Sequence, residues 1–268
     1  MSVVVGVDGS IESWAALAWA KEASHRRSVP LVVVIAADDL VEVEDGRPGD
    51  PAEIASRTSD LAPEAEVRVV EGIAEDVLLS AALGAQALVI GSRGMARFTA
   101  FIADSVSTEL IGHTAAPVVL VRSDAPTSTG RVVVGIDPES GAQVLPFACA
   151  EASLRGAQLR VVSTWESSIL TTFGATAVSN EAISARISGE LEALLIPLQD
   201  RYPDLDIATV VEFGDPAAAL VDEARQADLV VVGSGKHGAI VGLLRGSVAQ
   251  TLVHEVTVPV AVVSTREN

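Results

Sequence analysis

The amino-acid sequence predicts an α/β protein of two tandem doubly wound domains, each on a five-stranded parallel sheet. Three observations carry this expectation. The chain repeats itself once, and each copy holds five short apolar runs with helix-forming stretches between them. Most of these runs are continuous Val/Ile/Leu rather than alternating, as strands buried on both faces require. Strand–helix alternation in turn implies right-handed crossovers and an open sheet.

The repeat is visible at both ends of each copy. Residues 3–8 read Val-Val-Val-Gly-Val-Asp and residues 132–137 read Val-Val-Val-Gly-Ile-Asp, an offset of 129. Residues 104–121 (DSVSTELIGHTAAPVVLV) and 246–263 (GSVAQTLVHEVTVPVAVV) share 6 of 18 positions at an offset of 142, a difference of 13. The second copy therefore carries about 13 extra residues, placed between roughly 166 and 205. A period this long means a duplicated domain and not a solenoid. The small polar stretch Ser123-Asp124-Ala125-Pro126-Thr127-Ser128-Thr129-Gly130 reads as the join, giving domains 1–124 and 130–268.

Taken in order, the strands of the first copy are expected at 2–7, 31–36, 66–70, 87–91 and 117–121. Those of the second are expected at 131–136, 158–164, 206–212, 228–232 and 258–263. Residues 11–27 place Trp14, Leu17, Ala18 and Lys21 at helical spacing behind Ser10, a side chain suited to capping a helix start. Residues 142–155 repeat that role, and Asp215-Pro216 opens a helix over 216–226. Residues 38–65, rich in Asp, Glu, Pro and Gly, read as a mobile loop with at most a short helix near 51–60.

Composition narrows the function. With 18 Lys+Arg against 36 Asp+Glu the net charge is −18, which repels phosphate backbones and anionic lipid and argues against nucleic-acid or membrane partners. No uncharged apolar segment approaches 18 residues, and no cationic residue precedes the first apolar run, so neither a membrane span nor a secretory signal is expected. A single cysteine forms no internal disulfide and fits the reducing cytoplasm. The four histidines (His25, His113, His237, His254) show no metal-ligand spacing with one another or with Cys149, which sits in an apolar helix and reads as buried and inert.

Ligands of open α/β sheets bind beyond the carboxyl ends of the strands, so the residues there carry the functional reading. Asp8 and Asp137 follow the first strand of each copy. Either accepts hydrogen bonds from a ribose hydroxyl, holds a metal through water, or simply caps the next helix. After the fourth strand come Gly91-Ser92-Arg93-Gly94 and Gly233-Ser234-Gly235-Lys236-His237-Gly238. Asp104-Ser105-Val106 and Gly246-Ser247-Val248 then open a last helix. Glycine turns and helix starts with a Ser hydroxyl suit an anion, or serve as ordinary turns and caps. Two formal motifs are rejected. Residues 233–238 fit G-x-G-x-x-G but follow the fourth strand, with no acid ending the next run. Gly235-Lys236 lacks the following Ser/Thr and the preceding Gly of a P-loop.

These residues together resemble the universal stress protein family, in a tandem form spanning nearly the whole chain. The resemblance rests on Val-Val-Val-Gly-Val-Asp-Gly-Ser at the start, Gly214-Asp215-Pro216-Ala217 before a helix, and Leu229-Val230-Val231-Val232-Gly233-Ser234. Gly-Ser-Val and the closing Pro-Val-x-x-Val complete it. It implies the adenine-nucleotide α-hydrolase-like fold, pairing through last strands to a homodimer, and in some members an ATP site. That site's pattern is Gly, two residues, Gly, nine residues, then Gly-Ser or Gly-Thr.

By resemblance, one site would use Gly6, Val7, Asp8, Ile35, Gly91, Gly94, Ser105 and Val106. The second would use Gly135, Ile136, Asp137, Thr164, Gly233, Lys236, Gly246, Ser247 and Val248. Both copies depart from the pattern. Asp104 stands where the first copy should have its last Gly, and Lys236 where the second should have its middle Gly. A carboxylate about 5 Å from a phosphate costs roughly 3 kcal/mol at an effective dielectric near 20, a sign that a shared Mg²⁺ reverses. Lys236 gains a similar attraction, set against about 1–3 kcal/mol if its backbone adopts a glycine conformation. The second copy is therefore the better nucleotide site. Three functions stay open at this level: an ATP-binding stress-response regulator without strong catalysis, an interaction module whose site is lost, and a slow ATPase or nucleotidyl transferase.

Overall fold

A computed structural model of the chain describes residues 1–38, 40, 49–91, 110–111, 113–122, 128–139, 141–165, 180–234 and 248–265. It divides into two compact units. Unit 1 comprises Met1–Ala125 with Gly238–Arg245 and Pro259–Ser264; unit 2 comprises Pro126–His237 with Gly246–Val258 and Thr265–Asn268.

Unit 1 starts with β1 (Val3–Gly6), α1 (Ile11–Arg27) and β2 (Leu31–Ala36). It continues through α2 (Pro51–Leu61), β3 (Glu66–Val70), α3 (Ala74–Ala81), β4 (Ala87–Gly91) and β5 (Val118–Val121). These strands lie in the order β3-β2-β1-β4-β5, and each neighbouring pair is parallel. The chain's last strand, β10 (Val260–Val263), also enters unit 1. It runs antiparallel to β5, with Val260 opposite Leu120 and Val262 opposite Val118.

Unit 2 contains β6 (Arg131–Gly135), α4 (Gly141–Arg155), β7 (Gln158–Trp165), α5 (Asn180–Arg201) and β8 (Ile207–Phe213). α6 (Pro216–Ala224), β9 (Leu229–Gly233) and α7 (Val248–Glu255) follow. Its strands order as β9-β6-β7-β8, again parallel.

Every strand expected from the apolar runs is present, within two residues at each end. Val3, Val4 and Val5 of β1 and Val132, Val133 and Val134 of β6 are buried, as central parallel strands require. The helices that cover them present small residues: Ala16, Ala20 and Ala23 of α1 are wholly buried, letting the helix lie close to the sheet. α1 begins at Ser10, whose hydroxyl accepts from the Ser13 amide. It ends where Ser28 takes the left-handed conformation (φ 53°) and returns its amide to the His25 and Ser24 carbonyls.

Two departures have physical causes. β3 is solvent-exposed and carries Glu66 and Arg68, paired at 2.8 Å, because an outer strand must discourage further pairing. The segment expected to be a mobile loop with at most a short helix near 51–60 holds the 11-residue helix α2 at that place, capped by Asp50, with Ile54 and Thr58 buried. Within that segment residues 39 and 41–48 lie outside the described residues. The corresponding helix of unit 2, α5, has 22 residues, and this doubling accounts for most of the inserted length.

Candidate site at the strand switch points

In unit 1 the chain steps from β1 outward to β2 and β3, then returns to add β4 on the other flank of β1. Unit 2 does the same around β6, with β9 on the reversed side. Such reversal points, here between β1 and β4 and between β6 and β9, are where open α/β sheets in general bind ligands. Gly6, Val7 and Asp8 end β1 beside Gly91 at the end of β4; Gly135, Ile136 and Asp137 end β6 beside Gly233 at the end of β9. The sequence reading placed these groups after the first and fourth strands, and the sheet makes those strands neighbours.

Both aspartates are tied to the turn that follows. Asp8 Oδ1 accepts from the Ser10 amide at 3.0 Å and the Ser10 hydroxyl at 2.6 Å, which orients the cap of α1. Asp137 Oδ1 accepts from the Glu139 amide at 2.9 Å, and its carbonyl accepts from Gly141 at 3.1 Å. The surroundings differ. Asp137 is exposed, whereas Asp8 is half-buried, with Ile54 of α2 lying over the adjoining Gly9.

The glycines have packing roles as well. A Cβ on Gly6 would stand 3.0 Å from Leu78 of α3, and one on Gly135 would stand 2.4 Å from Leu220 of α6. A Cβ on Gly91 would fall 2.6 Å from the Glu12 carbonyl carbon, inside the first turn of α1. The glycine at the end of β4 thus brings that strand against the start of α1, next to Asp8.

The strand register corrects one equivalence. Gly6 lies opposite Val34 and Gly135 opposite Val162, so Ile35 corresponds to Ser163 and not to Thr164. Successive strand residues face opposite sides, so Ile35 and Thr164 point to opposite faces of their sheets. The cause is a shorter helix in unit 2: α1 has 17 residues and α4 has 15, so the left-handed helix ends Ser28 and Gly156 are 128 apart, against 129 for the two aspartates. Ser163, buried in β7, is a polar residue near the strand end that sequence reasoning passed over; Ser234, quoted in the Gly-rich loop, was not assigned to a site. The Ser234 hydroxyl accepts from the Thr265 amide at 3.1 Å. Matching the two helix ends would have exposed Ser163. Gly94, Ser105, Val106, Lys236, His237, Gly246 and Ser247 lie outside the described residues, and Val248 is the first residue of α7.

Among the described residues, no group of three or more His, Cys, Asp or Glu is placed to hold a metal ion, and no helix is long and apolar enough to cross a membrane. Cys149 is wholly buried in α4, and that burial pushes its thiol up to about 11. The thiolate is the reactive form, so maleimide labelling of the native protein at pH 7 is expected on the order of 100-fold slower than in denaturant. Rapid native labelling would contradict the enclosure.

The sequence pattern of the universal stress protein family matches residues 1–122 and again 129–264. The chain belongs to this family. A universal stress protein of Mycolicibacterium smegmatis is 34% identical over 290 residues, covering 98% of this chain and 97% of that protein. The crystal structure of a universal stress protein from Archaeoglobus fulgidus superposes over 98% of this chain and 96% of its own, with a TM-score of 0.68 and 17% identity, a likeness of fold. A universal stress protein solved in complex with cAMP covers 46% of this chain and 98% of its own, at 23% identity and a TM-score of 0.38. Two family matches in one chain agree with the internal repeat, while β10, inside the second match, is grouped with unit 1.

Proposed function

We propose that this universal stress protein is a stress-response regulator that binds ATP at the switch point of unit 2 in preference to unit 1, without strong catalysis. The observation that carries the reading is the placement of Asp137 and Gly233 at the ends of adjacent strands where the strand order reverses. Unit 2 is favoured because Asp137 is exposed, while α2 covers the turn beside Asp8. Asp137 would receive a ribose hydroxyl, and Gly233 would let the following backbone approach phosphate. Lys236 and the Gly246-Ser247 helix start would complete the anion contacts, as the family pattern implies. Mg²⁺ suits a polyphosphate approaching a chain of net charge −18. The nucleotide then acts by favouring one conformation over another. Self-association to a cytoplasmic homodimer belongs to the same reading, and light scattering that finds only a 27.6 kDa species would remove that part.

Equilibrium dialysis with labelled ATP and Mg²⁺ tests the site. Asp137→Asn is expected to weaken binding about tenfold or more, since a charge-assisted hydrogen bond is worth roughly 1.5–3 kcal/mol. Asp8→Asn should change it little. A second reading, an interaction module without a nucleotide, is favoured by the packing and capping roles found for Gly6, Gly91, Gly135, Asp8 and Asp137. Folded wild-type protein that retains no ATP at millimolar concentration would leave that reading standing.

A further inference from the structure

Asp228, immediately before β9, gathers four donors from three consecutive residues. Its Oδ1 accepts from the Thr129 amide and, at 2.9 Å, from the Thr129 hydroxyl. Its Oδ2 accepts from the Ser128 hydroxyl at 3.0 Å and from the Gly130 amide at 2.9 Å. The Thr129 hydroxyl also lies 3.0 Å from the Gln226 carbonyl. Gly130 makes the arrangement possible by turning through φ 72°, which points two successive amides at one carboxylate.

The sheet does not require this carboxylate. Asp228 already joins the sheet through its own amide, which donates to Arg131 at 2.7 Å. The corresponding residue of unit 1, Gln86, makes the same main-chain bond to Ser2 at 2.8 Å without an acid. The donors, moreover, stand at the end of the joining segment, since the two family matches stop at 122 and resume at 129. Partial burial raises the carboxyl, but the bonds from Thr129, Ser128 and Gly130 outweigh it and hold it below its ordinary range.

We propose that Asp228 is a latch that clamps Ser128, Thr129 and Gly130 onto unit 2, and that these residues come away from it as far as Arg131 when the latch opens. Because two of the four donors are exposed hydroxyls, negative charge placed at Thr129 opposes the clamp directly.

Hydrogen exchange by mass spectrometry on the full chain tests this. In Asp228→Asn the amides of Thr129 and Gly130 are expected to exchange at least ~10-fold faster, with β6 and β9 unchanged, and Asp222→Asn should leave them as in the wild type. Thr129→Glu should release them comparably. Unchanged exchange at 129–130 in folded Asp228→Asn would overturn the latch. If β6 and β9 also lose protection in that variant, the paired change Ser128→Ala with Thr129→Val keeps the carboxylate and decides the matter. It is expected to accelerate the Gly130 amide several-fold, and no acceleration overturns the proposal.

Discussion

Gly91→Ala is expected to destabilise unit 1 by about 3 kcal/mol or more, the largest effect of any single methyl group added to the glycines described above. The new Cβ would sit 2.6 Å from the Glu12 carbonyl carbon, 2.7 Å from the Ser13 nitrogen and 2.8 Å from the Glu12 oxygen. All three are backbone atoms of a helical turn pinned by the Ser10 cap, so no rotamer change relieves the overlap. Gly135→Ala provides the comparison. Its 2.4 Å contact is with the tip of the Leu220 side chain, which can turn away, and the expected loss is about 1–2 kcal/mol. Gly189→Ala, in the middle of α5 with nothing within 4 Å of the added atom, should instead stabilise by roughly 0.5–1 kcal/mol. Urea titrations fitted with separate transitions for the two units would read these values. A Gly91→Ala loss no greater than that of Gly135→Ala would contradict the close approach of β4 to α1.

Arg155→Met is expected to cost about 3–5 kcal/mol, because it removes an ionic partner from a carboxylate with no access to solvent. Glu151 is 0% exposed and Arg155 8% exposed, and the two pair one helical turn apart on α4. The pair is peculiar to unit 2. Helix ends align Arg27 with Arg155, which places Ala23 where Glu151 stands. Burial, and then the neighbouring Arg26, push the Arg27 guanidinium down to about 10. The double change Glu151→Leu with Arg155→Met should recover most of the loss, since two apolar side chains of similar size need no ionic partner. Calorimetry of the three variants is the check. A double variant as unstable as Arg155→Met would mean that packing and not charge holds the site.

The periodicity of the apolar runs was enough to locate the strands, because a central parallel strand tolerates little besides Val, Ile and Leu. β3 was legible only as a run; its Glu66 and Arg68 mark an outer strand, which the neighbours and not the residues determine. α2 was obscured by the acidic, proline-rich lead-in, although Asp50-Pro51 is the same capping pair that located α6. At the candidate site, spacing found Asp8, Asp137, Gly91 and Gly233. It could not show that Gly6 and Gly135 each lie under a leucine from a helix some 70–85 residues later. Nor did it give the one-residue difference that pairs Ile35 with Ser163, since alignment from the strand start carries the wrong offset past the shorter helix α4. The Asp228 cluster was invisible for the same reason: its partners are about 100 residues away in sequence.

The pairing of β10 with β5 bears on any attempt to dissect this protein. A cut within the joining segment does not yield two self-sufficient fragments, because the amino-terminal fragment loses the strand that pairs with Val118, Val119 and Leu120 on the outer side of β5. Those apolar residues would then offer a bare template for a second copy of the fragment or for misassembly during expression. Functional work on one domain at a time is better done by point substitution in the intact chain than by truncation.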